Sequence, residues 1–98
     1  MKLFHLCPGL AIEYARNGGQ ALHTWVPEVD LAGAPRCFRR SALIGHLFDQ
    51  DRRRLEATAT ALGVRRVEIH RPDKALQHVD LCGRPLERAM ELARSEDL

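Results

Sequence analysis

The stretch from Ser41 to Ile69 constrains the fold more than any other part of the chain, because its hydrophobic period changes twice along one short segment. Ser41 to Phe48 is an apolar run of strand length. From Asp49 or Gln50 onward, Leu55, Ala59 and Leu62 recur at i, i+4 and i+7, which predicts a helix, and Gly63 is placed to end it. Val64 to Ile69 alternates, with Val67 and Ile69 on one side, and reads as a second strand. Farther on, Leu86, Ala89, Met90 and Ala93 line one face of a last helix. Each helix carries a single apolar stripe, so the expected fold is α/β (α+β), a small sheet with at least two helices packed on one face.

The remainder of the chain fills in around that unit. A length of 98 residues allows one domain over 1–98 and one core. Only Phe4, Phe38, Phe48, Tyr14 and Trp25 are aromatic, so the core must be Leu, Ala, Val and Ile, and a large enclosed pocket is not expected. Residues 1–28 are read as an N-terminal hairpin, with Ile12 to Ala15 and Ala21 to Val26 as strands around Asn17-Gly18-Gly19, which tolerates the positive φ of a tight turn. The alternative for this segment is a short helix opening at Pro8 and ending at Gly18. Asp30 to Pro35 reads as a loop within the same domain.

A net charge of +2 excludes a molecule-wide field that seeks nucleic acid. The distribution is uneven, however: residues 36–66 carry eight arginines against three acidic side chains. Cys7, Cys37 and Cys82 are odd in number and contain no Cys-x-x-Cys pair, so neither a disulfide framework nor a thiolate zinc site is expected. They read as small apolar residues in a reducing, cytoplasmic setting, with Cys82 alone lying near a histidine and a helix start. His5 and Pro8 interrupt the N-terminal apolar run, and no later segment approaches a membrane span.

Little else than the histidines and carboxylates can do chemistry. His78 and Asp80 are two apart, so an extended backbone puts both side chains on one side, whereas a helix would separate them by about 200°. His46, in the neighbouring apolar strand, is placed to meet them across the sheet end, and Asp30 is a fourth candidate. Imidazoles and carboxylates suit zinc, manganese or iron, and three protein ligands with an open position would activate water for hydrolysis. The blander reading of each residue is structural: a buried His46 bonded to backbone, an Asp80 capping the last helix, a His78 that orients it.

Arg52, Arg53 and Arg54 occupy the first turn of their helix, where the dipole favours anions. With Arg39, Arg40, Arg65 and Arg66 they form a candidate anion- or partner-binding group, the alternative being a solvated face. Aromatics for stacking on single-stranded nucleic acid are nearly absent from this stretch, which ranks a protein partner above RNA or DNA. Trp25 and Tyr14 read as core or cross-strand partners.

Gly45-His46-Leu47-Phe48-Asp49, then Leu55 with Ala57, Ala61-Leu62-Gly63-Val64-Arg65-Arg66, and finally His78-Val79-Asp80-Leu81 resemble a bacterial and phage domain family of unknown function. Its corresponding stretches read approximately Cys-His-Leu-Ile-Ala-Asp, Leu-Gly-Leu-Arg-Arg and His-Tyr-Asp-Leu. The match covers roughly residues 29–95. Val79 stands where the family has Tyr, and Leu31 replaces the second Asp of an early acidic pair beginning at Asp30. The resemblance implies a fold and candidate positions, not a reaction. Two functions follow as expectations. One is a small bacterial or phage accessory protein whose His46, His78, Asp80 and Asp30 bind a divalent metal (zinc or manganese) or an anionic ligand. The other is a non-enzymatic interaction module, encoded on a mobile element, docking through its arginines on an acidic partner. Either can be completed by a homodimer.

Overall fold

Pro8 and Gly18 decide the N-terminal third. In the computed structural model, which describes residues 1–5, 7–27, 38, 42–70 and 76–96, strand β1 (Lys2–His5) leads into helix α1 (Pro8–Arg16) and strand β2 (Gln20–Trp25). Pro8 opens the helix, where its missing amide hydrogen is no loss. Ala11 and Ala15, one turn apart, are fully buried. The helix closes in a Schellman motif, with Gly18 at φ +95°, its amide on Ala15 O at 3.0 Å and that of Gly19 on Tyr14 O at 3.0 Å. The hairpin expected over residues 1–28 is therefore corrected to a strand, a helix and a strand. Asn17-Gly18-Gly19 does turn the chain, but as a helix cap. The physical reason is β1: it pairs with β2 in parallel, and parallel neighbours require a crossover instead of a tight turn.

The rest of the chain supplies β3 (Ile44–Asp49), α2 (Arg52–Ala61), β4 (His78–Leu81) and α3 (Gly83–Glu96). Helix α2 starts slightly later than expected, because Asp51 is its cap and accepts from Arg54 N at 3.1 Å. Gly63, at φ +96°, ends it through a second Schellman pair, Gly63 N to Thr60 O and Val64 N to Ala59 O. The strand expected over Val64 to Ile69 does not form. Only His70 bridges to β4, opposite His78. Val64, Val67 and Ile69 pack partly buried against the core, so their alternation reflects burial without a ladder.

The strands line up in the order β1-β2-β3-β4, with β3 antiparallel to both of its neighbours, β2 and β4. One face carries Leu22, Leu47, Val79 and Leu81 against Leu55, Ala59 and Leu62 of α2 and Leu86 and Ala89 of α3, which is the expected two-helix face. On the other, α1 lays Ala11 and Ala15 on Ala21 and Phe48. Beyond Phe48 that second face carries imidazoles.

Candidate metal centre

Sheet register assembles the cluster. Across the antiparallel strands His23 stands opposite His46 and His46 opposite Asp80, while Phe48 stands opposite His78 one rung along. Alternation within each strand then puts His23, His46, His78 and Asp80 on the face away from α2 and α3. The Nε2 atoms of His46 and His78 both approach Asp80 Oδ1, at 3.2 and 3.4 Å. One donor atom from each of the three residues lies within 4.8 Å of the others, so His46, His78 and Asp80 can hold a metal ion together. Their side chains are 26%, 13% and 34% exposed, respectively, which leaves the group reachable from water.

The spacing suits a small ion. Nitrogen and oxygen donors about 2.0–2.2 Å from a tetrahedral centre are separated by roughly 3.3–3.6 Å, the scale seen on both sides of Oδ1. The protonation pattern fits as well. His78 Nδ1 lies 2.9 Å from Leu76 O; a carbonyl only accepts, so Nδ1 carries a hydrogen, and Nε2 faces the cluster as a donor to Asp80 in the protonated ring and as a lone pair for a metal in the neutral one. Oδ1 of Asp80 is buried yet accepts no well-formed hydrogen bond. Burial pushes the Asp80 carboxyl up, but the contacts with His46 and then His78 outweigh it and hold the group well below the usual carboxylate range. An ionised, incompletely satisfied carboxylate beside two imidazoles is a donor set for a cation.

Two neighbours complete the surroundings. Trp25 packs on His46 at 4.1 Å between ring centroids and stacks on His23 at 5.7 Å. Burial, then His46 and His5, push His23 below its ordinary value, so it sits as a neutral ring. The other neighbour is His70, absent from the residues singled out by sequence. Its backbone exchanges two hydrogen bonds with His78, at 2.9 and 3.0 Å, and its Nε2 lies 3.4 Å from Asp80 Oδ2. The sequence signal for it is its place immediately after the alternating 64–69 segment.

The remaining candidates fall elsewhere. Asp30, Arg39 and Arg40 lie outside the described residues. Asp80 sits within β4, facing imidazoles, and does not cap α3. Arg54 turns inward onto the fully buried Asp49, Nε to Oδ2 at 2.5 Å and a terminal nitrogen to Oδ1 at 2.8 Å. Arg52 pairs with Glu56 at 3.1 Å and Arg66 with Glu68 at 3.6 Å, whereas Arg53 and Arg65 are exposed. The arginines therefore divide among different tasks. Cys82 is disulfide-bonded, and Cys7 is free and exposed. This corrects the reading of three free thiols and removes the argument for a reducing compartment that rested on it; an odd count leaves one cysteine over after a pair forms. Among the described residues no helix is long and apolar enough to cross a membrane.

No protein-family model matches the chain, and neither a curated protein nor a solved structure does. The resemblance to the bacterial and phage family thus stands on its motifs alone, and function has to be argued from the cluster.

Proposed function

We propose that the chain is a small metalloprotein in which His46, His78 and Asp80 bind a zinc-class divalent ion and leave at least one coordination position to water, as metal-assisted hydrolysis requires. The observation that carries this reading is the convergence of two Nε2 atoms on one buried, poorly satisfied carboxylate oxygen, with the His78 Nδ1 hydrogen already committed to Leu76 O. Two imidazoles and one carboxylate form a borderline-soft set, favouring zinc, cobalt or iron over magnesium or calcium. Among the described residues the group offers three protein ligands, the number found in catalytic zinc sites, where the ion brings the pKa of bound water to about 7.

Zinc titration followed by calorimetry and thermal melting tests it. A ligand at about 100 times its dissociation constant adds about 2.7 kcal/mol to the folded state. For a domain of this size that is a rise in melting temperature of roughly 10–20 °C. The rise should vanish in chelator and in His78→Ala and His46→Ala. Absence of any heat or shift with zinc, cobalt and manganese would refute the reading.

A further inference from the structure

We infer that His70 is a positioning residue for Asp80, holding Oδ2 so that the carboxylate meets a metal through Oδ1 alone. The inference rests on the metal reading above. A carboxylate can present one oxygen or both, and the choice decides how many positions remain for water or substrate. Here the two oxygens face different partners. Oδ1 is shared between His46 and His78, and Oδ2 lies 3.4 Å from His70 Nε2. His70 does not belong to the group whose donors all lie within 4.8 Å of one another, so it stands behind the carboxylate and outside the ligand set.

The chain fixes His70 there through its backbone. The paired bonds of His70 N to His78 O and His78 N to His70 O set its height along β4, and its ring stacks on that of His78 at 5.6 Å with planes 28° apart. The 3.4 Å contact is an ion-pair distance without a formed hydrogen bond; with Nε2–H turned onto Oδ2 when an ion is held, that oxygen is withdrawn from the ion, Oδ1 binds singly, and an open position survives. Outer residues of this kind orient ligands in many metal sites. Because the bridge is made by the main chain and the His70 side chain is 46% exposed, its removal should spare the fold.

The test uses cobalt(II) as probe on the full chain, comparing the parent with His70→Ala and His70→Gln. Melting of the metal-free variants should match the parent. In His70→Ala, cobalt affinity should fall ~10- to 100-fold, and the visible bands should weaken as the freed carboxylate binds through both oxygens and raises the coordination number. His70→Gln, whose amide can still donate, should restore much of the parent spectrum. A parent that binds cobalt while His70→Ala gives the same spectrum overturns the role of His70 and leaves the metal reading standing. A parent that binds no cobalt overturns both.

Discussion

Arg54 and Arg53 are neighbours in one arginine triplet, and substituting each by alanine should give very different results. The buried Asp49 carboxylate takes two bonds from Arg54, one from Asp51 N at 2.8 Å and one from Gln20 Nε2 at 3.0 Å. Arg54→Ala removes half of these donors. Stripping one partner from a fully buried pair costs ~3–5 kcal/mol. The Arg54 side chain is 45% exposed, so water recovers part of the loss, and the expected cost is about 2–3 kcal/mol. Arg53→Ala, at an exposed position, should stay within about 0.5 kcal/mol. Urea unfolding of the two variants measures both, with the midpoint moving and the slope preserved for Arg54→Ala. In the double variant Arg54→Ala with Asp49→Ala, the cost should fall short of the sum of the singles, since no charge is then left buried. Equal stability of Arg54→Ala and Arg53→Ala would refute the assignment of Arg54 to the fold and return it to the solvent-facing group.

Two further outcomes follow from local geometry. His23 has its pKa lowered from 6.5 by burial; the unfolded chain then binds the proton that the folded one refuses, so stability falls as pH drops below about 6.5 and is recovered above it. His23→Phe should lose less stability than the parent between about pH 7.5 and pH 5, and equal losses would show that His23 is not the group responsible. Gly63→Ala should lower stability by about 1 kcal/mol, because φ is +96° and a side chain there is strained; an unchanged melting temperature would mean that the cap relaxes freely.

How much of this was legible in sequence depends on which interactions were local. The i, i+4, i+7 pattern of α2, the stop at Gly63 and the Leu86–Ala89–Ala93 stripe are short-range signals, and each survives in the structure. The pairing of His78 with Asp80 was legible for the same reason, since alternation is a two-residue rule, and His46 followed once β3 was placed beside β4. What failed was long-range. Whether Asn17-Gly18-Gly19 closes a hairpin or a helix depends on β1, whose four residues carry too little pattern to announce a parallel partner. His70 was missed because its place beside Asp80 depends on a single isolated bridge to His78. A count of charge also cannot distinguish Arg54, folded onto Asp49, from the exposed Arg53.

The two carboxylates on β3 and β4 differ in how completely their surroundings satisfy them. Asp49 and Asp80 both lie among potential donors, and both have neighbours that can carry positive charge. Asp49, on the face covered by α2, is fully buried and each oxygen accepts two hydrogen bonds from fixed donors. Gln77, itself buried, adds a bond to the Asp49 carbonyl at 2.7 Å and so ties the residue before His78 to the end of β3. That cluster is complete and can accept nothing more; its work is to hold the strands in register. Asp80, on the opposite face, is partly open to water, and its Oδ1 has two nitrogens near it but no well-formed bond to either. A satisfied network stabilises, whereas an unsatisfied one with converging lone pairs is costly unless a ligand completes it. The sheet thus carries its satisfied carboxylate on one side and, three residues past Gln77, its unsatisfied one on the other.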